Sequence, residues 1–118
     1  MESGPLPSLS SWAVLERAGD EAILPAGVRL VDEGHPGRQC FALVEGTAAV
    51  EVAGARIREL GPGDFVGSVD HAGLPSPPEG ITVRLESRSR VLIIDAGRLT
   101  ALIDSDPAAA AAWRQLNE

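Results

Sequence analysis

Two apolar runs that end in glycine constrain the fold of this chain more than any other feature. Residues 41–46 (FALVEG) form the first run, and residues 60–67 (LGPGDFVG) form the second. Short segments between and around them alternate apolar and polar residues, which is typical of β-strands with one buried face. Closely spaced glycines permit the sharp reversals that a compact set of short strands requires. The pattern predicts a small antiparallel β-roll.

Seven segments are predicted as strands because they alternate in polarity or form short buried runs between turn signals. They are residues 22–24, 28–31, 40–45, 47–52, 55–60, 81–85 and 90–95. Ala53-Gly54 predicts a tight hairpin turn, and the alternation around Ile57 predicts that its side chain is half buried. Residues 67–80 contain three prolines and predict a loop, in which a short helical turn starts near Gly67 or Ser68.

Helical patterns occur only near the two ends of the chain. Ser8 or Ser10 is a candidate N-cap for a short helix that runs to Ala18 and buries Trp12 and Leu15. Near the other end, the apolar period changes to that of a helix. A one-sided helix is predicted there first, and a second helix follows it.

The two helices near the carboxyl end have separate signals. Leu99, Leu102 and Ile103 lie at positions i, i+3 and i+4, so they form one apolar face. Asp106-Pro107 is typical of an N-cap followed by proline at the first helical position. The second helix is predicted to bury Trp113.

Together these patterns predict one domain over residues 8–118, preceded by a flexible lead-in at residues 1–7. The fold class is mainly β, an antiparallel β-roll of the jelly-roll kind with a short N-terminal helix and C-terminal helices. Strands that alternated with helices would have indicated a parallel sheet instead.

Composition and charge narrow the classes of function. The net charge is −7 and all ten basic residues are arginine, so a basic surface for nucleic acid is not expected. The chain has no apolar run near the roughly 18–20 residues of a membrane span and no signal-peptide pattern. A single cysteine, Cys40, excludes an internal disulfide. These observations predict a cytoplasmic protein without direct membrane insertion.

Several fragments, taken in their order and spacing, resemble cyclic-nucleotide-binding domains. Such domains are ligand-sensing modules of bacterial transcription regulators, cyclic-nucleotide-dependent kinases and gated channels. The resemblance covers about residues 23–116 and is carried by LPAG (24–27), EG (33–34), FALVEG (41–46), LGPGDFVG (60–67), TV (82–83), VLIID (91–95) and LIDSDP (102–107). It implies a non-enzymatic regulatory module whose end helices, residues 10–18 and 96–116, contact another domain or protein.

The same resemblance identifies a ligand cassette that begins at Gly67. In the family, a short helix there directs backbone N–H groups at the cyclic phosphate. The next residue is a Glu that binds the ribose, and this chain has Ser68. An Arg three residues before the position of Thr82 neutralises the phosphate, and this chain has Glu79, followed by Gly80. The cassette is therefore predicted to be degenerate.

Magnitudes indicate what the two replacements cost. At an effective dielectric constant near 20, a pair of unit charges ~4 Å apart is worth about 4 kcal/mol, and reversing one sign turns attraction into repulsion. An unmade ribose hydrogen bond costs a further ~1–3 kcal/mol. Micromolar binding amounts to only about 8 kcal/mol. We expect no useful affinity for cAMP or cGMP.

Two other interpretations stay open at this stage. In the first, the domain is a functional nucleotide sensor that uses the backbone at Gly67 and Ser68 together with Arg84. The alternative role for Arg84 is an outward-facing strand charge paired with Glu86.

In the second interpretation, the chain is a metal enzyme similar to the cupins, a family with a related roll shape. His35, Cys40 and His71 lack the His-x-His spacing of that family, so neither a metal nor another cofactor is expected. No nucleophile stands near a histidine in a recognisable arrangement, so catalysis is not expected. Trp12 and Trp113 are interpreted either as helix packing or as partner contacts.

Overall fold

The computed structural model describes residues 9–35, 37–70 and 72–116, with residues 9–12 described by their backbone only. Within these residues, helices and strands follow in this order: α1 (Leu9–Ala18), β1 (Gly19–Leu24), β2 (Arg29–Val31), β3 (Gln39–Glu45), β4 (Ala48–Val52), β5 (Ala55–Leu60), β6 (Phe65–Val66), β7 (Ser68–Val69), β8 (Pro75–Ser76), β9 (Thr82–Leu85), β10 (Ser89–Asp95), α2 (Ala96–Ser105) and α3 (Pro107–Leu116).

Two four-stranded antiparallel sheets form the β-roll. Their strand orders are β1-β10-β3-β6 and β2-β9-β4-β5, and a separate two-stranded sheet joins β7 to β8. The predicted fold class is confirmed: the molecule is mainly β, with one helix before the roll and two after it. The seven predicted strands are all observed, with β1 starting three residues earlier than predicted, but the two-residue strands β6, β7 and β8 were not predicted.

Strand β3 is buried on both faces because it lies between two cores. Phe41 and Leu43 contact the core between the two sheets. Cys40 and Ala42, at the alternate positions, contact the core beneath the helices. A strand covered on both sides carries apolar residues at successive positions, which explains the nearly continuous run that starts at Cys40. Strand β10, which pairs with β3, is arranged in the same way: Val91 contacts the core between the sheets, and Leu92 and Ile94 contact the core beneath the helices.

The three helices cover the outer face of the first sheet. Leu15 and Leu99 are fully buried, and Trp113 is buried with them. The Asp106 side chain accepts a hydrogen bond from the backbone N–H of Ala108 at 2.9 Å, which confirms the predicted cap of α3. Arg17 on α1 donates to the same carboxylate at 3.1 Å and so connects the first helix to the last. Ser10, the other candidate N-cap, lies within α1 and so does not cap it, while the lead-in at 1–7, Ser8 and the Trp12 side chain lie outside the described residues.

The prediction that Ile57 is half buried is wrong. The pairing of β4 with β5 shifts register between Val50 and Glu51, so that Arg58 opposes Val50 and Arg56 opposes Glu51. The extra residue is Ile57, and its side chain is 62% exposed. A bulge of this kind removes a residue from the regular alternation, and it also makes the exposed edge of the sheet a poor template for further pairing.

The prediction of a helical turn after Gly67 is also wrong. Ser68 and Val69 instead form β7, which pairs antiparallel with β8. The Asp70 side chain closes this hairpin, because its Oδ1 accepts from the backbone N–H groups of Ala72 and Leu74, each at 2.9 Å. Asp is a turn residue for this reason, and its hydrogen bonds favour the hairpin over a helical turn.

Candidate functional site

An apolar cleft lies at one end of the roll, where the cassette resemblance begins. Its volume is about 240 Å³. Strands β4, β5 and β6 and the residues next to them supply its lining, which consists of Val50, Ile57, Arg58, Leu60, Phe65, Val66, Gly67 and Ile81. Seven of these eight side chains are apolar or glycine, so an occupant of the cleft meets walls that offer few hydrogen bonds.

Arg58 is the charged residue of this lining, and the alternating pattern of the sequence did not identify it. Strict alternation in residues 55–60 would have placed Arg56 and Arg58 on the same outward face. The bulge at Ile57 separates them. Arg58 opposes the buried Val50 and borders the cleft, while Arg56 opposes Glu51. A one-residue insertion in a strand leaves no local sequence signal.

The glycine at position 67 is required by close packing. A Cβ atom there would lie 2.6 Å from the Phe65 ring and 3.1 Å from the sulfur of Cys40. Burial, with a smaller contribution from the charge of Asp95, raises the pKa of the Cys40 thiol to about 11. The same thiol donates to the carbonyl oxygen of Ser76 at 3.4 Å. Cys40 is therefore a packed, protonated side chain beneath the cleft.

Phe65 connects the cleft to the last helix. Its ring meets the Trp113 ring edge-to-face, with the centroids 5.7 Å apart. The indole Nε1 of Trp113 donates to the carbonyl oxygen of Gly73 at 2.9 Å, which joins α3 to the β7–β8 hairpin. Trp113 is only 3% exposed. Its indole packs inside the domain, as the packing interpretation predicts, and is not presented at the surface.

The remaining cassette positions do not line the cleft together with Gly67. Ser68 is exposed at the start of β7, and Glu79 and Gly80 are exposed in the segment after β8. Thr82 is buried and engaged elsewhere, since its hydroxyl donates to Glu33 Oε1 and accepts from the Glu33 backbone N–H, both at 3.2 Å. Of these five cassette positions, Gly67 alone belongs to the lining of the cleft.

Arg84 forms an ion pair on the outer face of the second sheet. Its guanidinium lies 3.4 Å from Glu51 Oε1. The expected partner was Glu86, which instead forms a bidentate pair with Arg56 at 2.6 and 3.1 Å. The partner predicted for Arg84 was wrong. Glu51 comes close to Arg84, and Arg56 comes close to Glu86, only because β4 pairs with both β5 and β9.

The histidines give no metal centre in the part of the chain that the structure describes. His35 lies 3.6 Å from an Asp32 oxygen in an exposed turn. The pKa of Asp32 is lowered chiefly by the hydrogen bond from the Gly34 backbone N–H. Across residues 9–35, 37–70 and 72–116, no three His, Cys, Asp or Glu side chains are grouped to hold a metal ion. His71 lies outside the described residues.

None of the helices that the structure describes is both long and apolar enough to cross a membrane.

Comparisons with known proteins agree with this architecture. A putative potassium channel protein from Rhodopseudomonas palustris is 35% identical over 89 residues, which cover 72% of this chain and 21% of that protein. The chain thus spans about a fifth of the length of that curated relative.

Two solved structures share the fold at low identity. One comes from a cyclic-GMP-dependent signalling pathway that regulates bacterial phytopathogenesis, with a TM-score of 0.74, 24% identity, and coverage of 95% of this chain and 91% of that one. The other is the catabolite activator protein of Thermus thermophilus, with a TM-score of 0.69, 16% identity, and coverage of 93% and 53%.

The family model described as the cyclic nucleotide-binding domain matches residues 21–106, most of the β-roll and all of α2. With the two-sheet roll, the apolar cleft behind Gly67 and the helical layer, this match shows that the chain belongs to the cyclic nucleotide-binding domain family.

Proposed function

We propose that this domain is a non-enzymatic, cytoplasmic regulatory module that does not bind cAMP or cGMP at useful affinity. It works within a larger polypeptide or assembly and contacts its partner through the end helices. The observation that carries the proposal is the β7–β8 hairpin, which follows Gly67 where the family resemblance implies a phosphate-binding helix.

The hairpin removes the geometry that binds a phosphate. A helix N-terminus leaves its first backbone N–H groups unpaired and directed at one point, which is why anions bind there. In the hairpin, the backbone of Ser68 and Val69 pairs with Ser76 and Pro75. Paired strand groups alternate in direction and do not converge on one oxygen. The backbone contacts of the rival nucleotide-sensor hypothesis are disfavoured for the same reason.

The charges around the cleft also support the proposal, but less strongly than the hairpin does. Glu79 is exposed, so water screens its charge, and its repulsion of a phosphate is smaller than the estimate made for a buried pair. Arg84 is paired with Glu51 and does not line the cleft. Arg58 does line it, but the walls supply no other polar side chain for the ribose hydroxyls. Burying such hydroxyls without partners costs ~1–3 kcal/mol.

Contacts among the helices support the proposed output. Helix α3 packs against both α1 and α2. Arg98 on α2 donates to the carbonyl oxygen of Arg17 at 3.1 Å, and Arg17 pairs with Asp106 at the start of α3. The three helices therefore form one layer, and Phe65 and Trp113 connect that layer to the cleft. A partner bound to this layer would sense the state of the roll through these contacts.

A titration tests the proposal directly. Isotope-labelled protein is titrated with cAMP and, separately, with cGMP to millimolar concentration, and amide chemical shifts are recorded. We expect no saturable shifts at Gly67, Ser68, Ile81 or Thr82. A cyclic-nucleotide-binding domain of known affinity, run under the same conditions, is the positive control. Saturable shifts at those residues in the micromolar range would show that the domain is a nucleotide sensor.

A further inference from the structure

The Arg58 side chain lies at the mouth of the apolar cleft, and no acidic side chain among the described residues pairs with it. Among the described residues, the Arg58 side chain forms no ion pair or hydrogen bond, although its backbone pairs with β4. Arg56, two residues earlier on the same strand, pairs with both Glu59 and Glu86. The bulge thus places the two arginines of β5 differently. The charge of Arg56 is neutralised within the domain, and Arg58 lines the cleft.

The cleft combines this charge with an apolar interior. Val50, Leu60 and Val66 form its floor as part of the core between the sheets. Ile57 lies beside Arg58 and is 62% exposed, so a large apolar side chain also stands unprotected at the mouth. The nearest acidic cassette position, Glu79, does not belong to the lining. The cleft offers one positive charge at its rim and apolar contacts below it.

We propose that the cleft binds a small organic monocarboxylate with an apolar body. Its carboxylate accepts hydrogen bonds from the Arg58 guanidinium at the rim, and its hydrocarbon portion displaces water from the walls formed by Leu60, Phe65 and Ile81. This proposal rests on the proposed function, because it requires that the cleft is not a cyclic-nucleotide site.

The chemistry of the walls favours this class of ligand over a nucleotide. A guanidinium binds a planar carboxylate through two parallel hydrogen bonds, and the apolar body gains by burial. A nucleotide would bring ribose hydroxyls and base edges into a place without polar partners, and unpaired polar groups are what an apolar site rejects most strongly. Selectivity arises here from the desolvation penalty of the wrong ligand as much as from attraction to the right one.

Octanoate is the probe that tests the proposal, and 1-octanol is its neutral counterpart. Amide shifts of the labelled domain are followed during both titrations and during one with cAMP. We expect octanoate to produce saturable shifts at Arg58, Gly67 and Ile81. We expect 1-octanol to bind about tenfold or more weakly, since it lacks the charge-assisted hydrogen bonds.

Variants separate the role of Arg58 from general charge. Arg58→Gln is expected to lose about tenfold or more in octanoate affinity, and Arg58→Lys to retain part of it. Arg56→Gln is the matched control, because Arg56 lies on the same strand but pairs with Glu86 away from the cleft, and its octanoate affinity should not change. Circular dichroism verifies that each variant is folded.

The outcomes are distinguishable. The proposal is overturned if octanoate produces no saturable shifts, if 1-octanol binds equally well, if Arg58→Gln keeps the wild-type affinity, or if Arg56→Gln loses as much affinity as Arg58→Gln. Binding of cAMP at the cleft would overturn the proposed function and this proposal with it, whereas failure of octanoate to bind in the absence of cAMP binding would overturn this proposal alone. Octanoate binding without cAMP binding supports both proposals.

Discussion

At the scale of single residues, the site depends on close packing around Gly67. The Phe65 ring occupies the space where any other side chain would begin, and the Cys40 sulfur lies directly beneath. Close contacts therefore restrict position 67 to glycine, independently of its place just after strand β6. The resemblance places Gly67 at the start of the ligand cassette, and the contact distances give a packing reason for glycine there that does not depend on a ligand.

The packing at this position leads to a prediction for Gly67→Ala. The added methyl group would overlap the Phe65 ring and force it to move relative to Trp113. Overpacking of this kind costs ~1–3 kcal/mol, and chemical denaturation measures it as a lower midpoint. Gly61→Ala is the matched control, because no atom lies within 4 Å of a Cβ built there. Equal stability of the two variants would show that the ring moves aside freely.

At the scale of elements, the β7–β8 hairpin and α3 act as one unit. The hairpin tip is held by the indole hydrogen bond from Trp113 to Gly73, and Cys40 in β3 holds Ser76 from below. Two short strands of two residues each would be marginal alone, so these attachments are what keep the segment in place. The β7–β8 hairpin is therefore anchored to the helical layer and to β3.

Trp113→Phe tests the anchor. The substitution keeps an aromatic ring against Phe65 but removes the donor to the Gly73 carbonyl oxygen. We expect a loss of about 1 kcal/mol in unfolding free energy, the usual value of one hydrogen bond. Hydrogen exchange should also accelerate at residues 73–76 more than in the central strand β3. Arg114→Gln, an exposed change on the same helix, serves as the control. Unchanged exchange in the hairpin would mean that the indole does not hold it.

At the scale of the whole molecule, the first and last helices are joined by charge. Arg17 donates to the Asp106 carboxylate, which also caps α3 through Ala108 and Ala109. The hydrogen bond from Arg17 is the largest cause that lowers the pKa of Asp106, and the two backbone N–H groups lower it further. The residue at the boundary of α2 and α3 thus connects the whole helical layer.

This linkage predicts a dependence of stability on pH. The pKa of Asp106 is lower in the folded protein than in the unfolded chain, where the ordinary Asp value is about 3.9. Its stabilising contribution is therefore fully present above the unfolded pKa and is lost as the pH falls through the folded value. Wild type should melt at a higher temperature than Asp106→Asn at pH 6, and the difference should narrow toward pH 3.

Arg17→Gln provides the partner measurement for this linkage. Removing the guanidinium eliminates the largest cause of the lowered pKa, so the variant should show a weaker pH dependence than wild type. A melting-temperature difference that stays constant from pH 6 to pH 3 would contradict the linkage between Asp106 and Arg17.

The sequence by itself determined the β-roll, the Ala53-Gly54 hairpin turn and the cap of α3. Continuous apolar runs marked β3 and β10 as buried strands, and Asp106-Pro107 marked the start of α3. These features depend on periodicity or on hydrogen bonds between residues close in the chain, so they can be read locally.

Only the tertiary structure decided the character of the cleft. The bulge that exposes Ile57 and turns Arg58 toward the cleft depends on the register of β5 against β4. Asp70 closes the hairpin after Gly67 locally, but the contacts that hold the hairpin in place come from Trp113 and the Cys40 sulfur, which are distant in the chain. A shift of one residue in strand pairing reverses which face a side chain occupies, and no local pattern encodes it.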